Sequence, residues 1–334
     1  MKGYLWFALK RALQTLVVIV VGISLAFLIS QLSPIDPVER SLSRITSRSN
    51  FSPEAIGEMR TALTDLYGSD KSLSEQYANF LRRMAQGDLG PSMLAFPTPA
   101  MDLVMRALPW TVFLLASSTL ITFLFGNLLG AMAGYFQDSR LLKMFGVAAI
   151  GVQPIPYYIV AFMLLYIFGF VWPILPTSNA YDIGVNPGWN LDFFVSAAEH
   201  AVLPVASLII TGFGTWFVGM RALVSNIVTE DYVTYAELGG VGRRRVLSSY
   251  VMRNAAVPQL TALALALGSI FSGTIITEQV YNYPGLGTLL VDAVNQGDST
   301  TVLAVSTVAI VAVALAILVI DLLHPLLDPR VRTA

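Results

Sequence analysis

Six stretches of this chain carry about twenty apolar residues in a row, the length an α-helix needs to cross the hydrocarbon core of a bilayer. They run from about Leu13 to Leu32, Trp110 to Phe136, Met144 to Leu175, Ala201 to Met220, Val257 to Ile276 and Val302 to Ile320. The runs are continuous. Strands of a membrane barrel would alternate in polarity and be half as long. The sequence therefore predicts an all-α membrane protein with six transmembrane helices. Composition agrees: 55% of the 334 residues are hydrophobic and only 12% are charged, about half the charge of a soluble domain.

Lys10 and Arg11 precede the first run as they would in a secretory signal. No clean small-x-small cleavage site follows, and the run is too long for a usual signal core, so it is expected to stay as a span. Arg140 and Lys143 follow the second run. Arg221, Arg243, Arg244, Arg245 and Arg253 follow the fourth, and Arg330 and Arg332 follow the sixth. The loop over 176–199 holds Asp182, Asp192 and Glu199 without Lys or Arg, and the loop over 281–300 holds Asp292 and Asp298, again without a cation. The positive-inside rule then predicts cytoplasmic termini and a cytoplasmic Arg-rich loop. The segment from about Ser33 to Leu108 falls outside, which its length permits. Ser52-Pro53 reads as a helix start and Ser72 with Glu75 as a capping box. A small external helical cap is expected, giving a division into 1–105 (first span and cap) and 106–334 (five-helix core).

Gly126, Gly130 and Gly134 place a smooth stripe on the second span, suited to close approach of another helix, either static or sliding. Gln153, Pro154 and Pro156 interrupt the third run. An ordinary proline kink is expected, with a break beside a substrate path as the alternative. The spans hold almost no ionisable residue, so an ion- or proton-coupled carrier acting alone lacks its usual mid-membrane groups.

The stretch between the fourth and fifth runs, T-E-D-Y-V-T-Y-A-E-L-G-G-V-G-R-R-R-V-L-S-S-Y-V-M-R-N-A-A-V-P, reads as a short helix, a glycine turn and a basic helix. Thr229 is expected to cap the first helix, with Glu230 and Asp231 in its first turn. Gly239 and Gly240 end it. A second helix is expected from Arg244 to Asn254, with Pro258 opening the fifth span. Gly240-Val241-Gly242 is a turn and not a phosphate loop, and no G-x-x-x-x-G-K-[ST] occurs. No nucleophile with an adjacent base and no paired carboxylates are visible. Cysteine is absent, which removes thiolate metal sites. His200 and His324 lie near helix ends and read as hydrogen-bonded interfacial residues, with Asp321 as a solvated cap nearby. A net charge of −1 gives no field for nucleic acid.

Asp231, Tyr232, Val233, Ala236, Gly240, Arg244, Val246, Leu247, Arg253, Asn254, Ala255 and Pro258 together resemble the EAA loop of binding-protein-dependent ABC importer permeases, above all the oligopeptide/dipeptide family. Gly87-Asp88-Leu89-Gly90, Pro34-Ile35-Asp36-Pro37, the run Glu278 to Gly287 and Leu327-Asp328-Pro329-Arg330 resemble further marks of that family, in its order and spacing. Glu237-Leu238-Gly239 departs from the family, which has a basic residue, a small one and Lys there. Thr234 and Tyr235 stand where the broader superfamily has Glu and Ala.

The resemblance implies a type I importer (MetI-like) permease fold with an external N-terminal insertion, in the bacterial inner membrane. It implies that the loop 229–258 couples to a separate ATPase through Asp231, Tyr232, Val233, Ala236, Glu237, Leu238, Gly240 and Arg244. The implied partners are a paralogous permease, two ATP-binding subunits and an external solute-binding protein. The chain would be no enzyme and would hold no cofactor or metal, with ATP and Mg on partner subunits. Peptide is the leading cargo and oligosaccharide the next, with nickel and glutathione also carried in the family. Tyr181 and Trp189 are aromatics that either stack on sugars or anchor the interface. The alternative is a stand-alone secondary carrier or channel.

Overall fold

A computed structural model describes residues 2–32, 37–46, 52–67, 71–268 and 274–327. Pro34-Ile35-Asp36, part of the fifth predicted span (269–273) and the tail from Asp328 lie outside the described residues, as does the side chain of His324.

The described residues are almost wholly helical, and extended structure among them is limited to one bridge between Pro91 and Pro99. Among the described residues, four helices are long and apolar enough to cross a membrane: α1 (Lys2–Gln31), α5 (Ala100–Tyr135), α8 (Leu191–Ile227) and α14 (Ser299–Leu327). They match the first, second, fourth and sixth runs, but α5 and α8 extend to 36 and 37 residues. Hydropathy sees only the apolar middle of each. The helices continue into polar ends, where α8 begins with Asn190 accepting the Phe193 amide at 2.8 Å.

The third run is not one kinked helix. It is α6 (Arg140–Val152) and α7 (Tyr157–Leu165), continued by a π-helical turn over Tyr166–Val171, and the two arms are bent by 102°. Two prolines within three residues remove two backbone donors and fix φ twice, so the ladder is broken outright and the chain turns a corner. The fifth run begins within α11 (Met252–Gly268).

The chain divides into two compact units. One comprises residues 1–11, 111–284 and 315–334. Its core is α8, against which α6, α7 and α11 pack. The glycine stripe of α5 lies on α8 here: a Cβ at Gly126 would come within 2.6 Å of Trp216 Cβ, one at Gly130 within 2.5 Å of Phe217 O, and one at Gly134 within 2.8 Å of Arg221 O. No side chain fits at these positions, so the stripe brings backbone against backbone. At the other end of the sequence, Tyr4 donates to Leu322 O at 2.9 Å and Arg11 pairs with Asp321 at 3.4 Å. Asp321 is thus the partner of a cation and not merely solvated.

The other unit comprises residues 12–110 and 285–314. It contains three short helices after α1: α2 (Pro37–Thr46), α3 (Pro53–Tyr67) and α4 (Leu73–Ala85). Ser52 accepts the Ala55 amide, and Ser72 and Glu75 form the reciprocal capping box. Hydrogen bonds from Ser72 hold the Glu75 carboxyl below the usual carboxylate range. Val38, Leu42 and Leu63 close α2 on α3. Phe27 of α1 lies 5.3 Å from both the Tyr77 and Phe80 rings, and Ser24 shares a 2.6 Å hydrogen bond with the Tyr77 hydroxyl. In the Gly87–Gly90 turn both glycines have positive φ (75° and 96°), and Asp88 accepts the Gly90 amide.

Candidate functional site: the 229–258 strip and the break at Gln153

The strip between α8 and α11 forms α9 (Asp231–Leu238), a glycine turn, α10 (Arg243–Arg245) and a π-helical segment Val246–Val251 that runs straight into α11. Two expectations are corrected. Thr229 does not cap α9; its hydroxyl turns back to Asn226 O at 2.7 Å, and Glu230 holds the N-cap position without a side-chain bond. Pro258 does not open a helix; it lies inside α11. The π segment runs into α11 without a break, so the helix is already under way when it reaches the proline.

α9 is held from beneath. Val233 is 1% exposed and packs with Met220, Val224, Val246 and Val251, and Ala236 and Val241 rest on the same cluster. Two polar ties fix its flanks. Asn254 Nδ2 donates to the Tyr232 hydroxyl at 3.0 Å, and the Tyr135 hydroxyl donates to Glu237 Oε1 at 2.8 Å. The opposite face is bare: Tyr235 is 73% and Leu238 80% exposed. Asp231 and Arg244 are exposed and neither joins an ion pair among the described residues. Gly239 ends the helix at φ −72°, and Gly240 turns the chain at φ +78° with nothing within 4 Å of its Cβ position. The predicted residues therefore separate into an anchored side (Val233, Ala236), two braced positions (Tyr232, Glu237) and an outward side (Asp231, Leu238, Arg244). Tyr135 was not singled out in the sequence. Nothing local marks it, since its partner is 102 residues away.

The corner between α6 and α7 borders a cavity of about 480 Å³. Ser118, Thr119 and Thr122 of α5, Gln153 at the break and Thr211 of α8 give it neutral polar groups among apolar ones such as Leu115, Leu208 and Trp216, and no charged residue lines it among the described residues. Nearby in sequence to the lining Thr274 stands Glu278, fully buried in α12 (Ile275–Val280), with its carboxylate accepting from Thr111 Oγ1 at 2.8 Å and Thr274 Oγ1 at 3.2 Å. Tyr281, in the turn that follows, donates its hydroxyl to Ala161 O at 2.9 Å. His200 is buried, with Nδ1 2.9 Å from Ser196 O and Nε2 3.8 Å from Asp182 Oδ1, a satisfied histidine as expected. Trp189 is 98% exposed, whereas Tyr181 meets Phe193 edge-on.

Residues 126–333 match the family described as binding-protein-dependent transport system inner membrane component. The chain belongs to this family. It is accordingly a multi-pass inner-membrane permease component, and the stand-alone carrier is not favoured. Relatives extend the likeness over the full length. The chain is 25% identical to the oligopeptide transport system permease protein AppB of Bacillus subtilis, over 98% of this chain and 99% of that one. It is 27% identical to the probable D,D-dipeptide transport system permease protein DdpB of Escherichia coli, over 98% and 97%. It is also 27% identical to the glutathione transport system permease protein GsiC of Salmonella typhimurium, over 98% of each chain.

Proposed function

We propose that this permease forms half of the translocation path of an ATP-driven peptide importer, and that the strip 229–258 is where a separate ATP-binding subunit pushes on it. The observation that carries the reading is α9, which is anchored through Val233, braced at Tyr232 and Glu237, and bare at Tyr235 and Leu238. A helix fixed on one side and apolar on its free side suits a docking element that must transmit displacement. The direct continuation of the π segment into α11 gives that displacement an unbroken helical path toward the membrane.

ATP and Mg belong to the partner subunits in this reading. A paralogous permease would supply the other half of the path and an external binding protein would deliver the cargo. Both termini and the strip face the cytoplasm, 1–105 forms the first span with its cap, and 106–334 forms the five-helix core, bringing the spans to six. Peptide is favoured as cargo because the relatives are named for oligopeptide, dipeptide and glutathione transport. The cavity at the Gln153 corner supports this, since an uncharged amide can both donate to and accept from peptide groups of any sequence, and the hydroxyl oxygens of Ser118, Thr122 and Thr211, whose protons go to their own helix carbonyls, can still accept from peptide N–H groups.

The test is reconstitution. Vesicles holding this chain alone should show no uphill peptide flux under an ion gradient. Flux should appear only with the second permease, the ATP-binding subunits, the binding protein and ATP. Sustained uphill flux from the lone chain without nucleotide would overturn the proposal.

A further inference from the structure

Two adjoining cavities in the unit formed by 12–110 and 285–314 have no part in the transport reading. The first, about 150 Å³, opens where α1 ends and α14 begins. Its wall is mixed, with Phe27, Phe80 and Leu89 beside Gln31, Gln76 and Asn79, and it carries two cations, Lys71 and Arg83, against one acid, Asp65. Neither cation forms an ion pair among the described residues. The Arg83 guanidinium reaches over the Gly87–Gly90 turn, its Nη1 3.7 Å from the Cβ position of Gly90.

The second cavity, about 480 Å³, runs down the apolar length of α1 and α14 between Gly22, Ala26 and Ile29 on one side and Val302, Ser306 and Ile310 on the other. Ser30, Ser299 and Leu303 line both cavities, so the two adjoin across these residues. From Ser30 to Gly22 is about 12 Å along the helix, and from Ser299 to Ile310 about 16 Å. The groove thus follows the apolar lengths of α1 and α14, and the cationic mouth stands at their ends, where a span of this length would meet the headgroups.

A cationic, hydrogen-bonding mouth over an apolar groove matches one kind of ligand. A soluble anion would use the mouth and leave the groove empty. An apolar helix would fill the groove and leave two cations uncovered. We propose that this paired cavity binds one anionic phospholipid, its phosphate between Lys71 and Arg83 and an acyl chain along the α1–α14 groove. Among the described lining residues the cations outnumber the acid by one, so a headgroup of net negative charge is preferred over phosphocholine, whose ammonium would meet the same cations. The lipid would bridge α1, α4 and α14 and so brace the cap on its spans.

Native mass spectrometry of the full chain in mild detergent tests this, with phosphatidylglycerol and phosphatidylcholine of equal chain length competing in one sample. Phosphatidylglycerol should be retained preferentially. Lys71→Gln and Arg83→Gln should each lower its retention about fivefold, the worth of one cation near an anionic headgroup, and leave phosphatidylcholine unchanged. Ser306→Leu fills the groove with the charges intact and should lower retention of both lipids. The ratio within one sample is independent of how much protein folds. Equal retention of the two lipids in the unsubstituted chain would overturn the proposal. So would unchanged retention in all three variants, displacement of the lipid by glycerol phosphate alone, or a photo-crosslinker at Ile29 that captures a protein segment instead of lipid.

Discussion

The Tyr135 hydroxyl, at the last residue of α5, donates to Glu237 Oε1 on α9 at 2.8 Å. This bond joins the exposed strip directly to the helix that carries the glycine stripe. Tyr135→Phe keeps the ring and its edge-on contact with Phe136 but removes the donor. A solvent-exposed hydrogen bond of this kind contributes about 1–2 kcal/mol to stability, a small loss from which the variant should still fold. If α9 transmits displacement through this tie, peptide taken up per ATP hydrolysed should fall in the reconstituted complex. A variant with wild-type stoichiometry would remove Tyr135 from the coupling path.

Gly240 has a positive φ and open space at its Cβ position, so any effect of substitution there comes from the backbone and not from a clash. Gly240→Val should strain the turn by about 1–2 kcal/mol and shift α9, leaving ATP hydrolysis poorly coupled to uptake. Gly240→Asn should be nearly silent, because asparagine tolerates the left-handed region. Measuring hydrolysis and uptake in parallel for both variants checks this. Normal coupling in the valine variant would show that the turn does not set the position of α9.

Much of this architecture is legible in the sequence because the signals are local. The apolar runs mark α1, α5, α8 and α14, Ser72 with Glu75 marks the start of α4, and the paired glycines mark the end of α9. The misses occur where local patterns compete with longer-range structure. Thr229 looks like a cap, but its hydroxyl is taken by the preceding turn of α8. Pro258 looks like a start, but the helix already begins upstream of it at Met252. Tyr135 is identified as part of the site only by a partner far along the chain. The Gln153 corner was visible as a break, yet its 102° angle follows from how α6 and α7 each pack on α8.

Asp298 shows the same limit in the other unit. In the sequence it is one of two acids in a loop, but in the structure it is fully buried. Its Oδ2 accepts from Ser92 Oγ and Thr301 Oγ1 at 2.6 Å and from the Met93 and Leu94 amides at 2.7 and 3.1 Å. Its Oδ1 accepts the Thr301 amide and so caps α14. Asp298→Asn puts a donor among these donors or turns it on the cap, and leaves a buried group unsatisfied either way. A loss of roughly 3 kcal/mol is expected, read as a lowered unfolding temperature of the detergent-solubilised chain. Asp292→Asn, in the exposed part of α13 (Leu286–Gln296), should change little.

The glycine stripe separates close packing from mere helix tolerance of glycine. A side chain at Gly130 would meet the Phe217 carbonyl at 2.5 Å and Met220 Cβ at 3.0 Å, and backbone cannot give way as a flexible side chain can. Gly130→Leu must therefore move α5 off α8, at a cost of about 3 kcal/mol, the upper part of the usual range for overpacking. Gly151→Leu is the control, since that helical glycine has nothing within 4 Å of its Cβ position. Thermal unfolding of the two variants should differ sharply, with the Gly130 variant losing stability and the Gly151 variant keeping it. Equal stabilities would mean that α5 and α8 are not in backbone contact along this face, and the structural path from Tyr135 through α5 to α8 would fail with it.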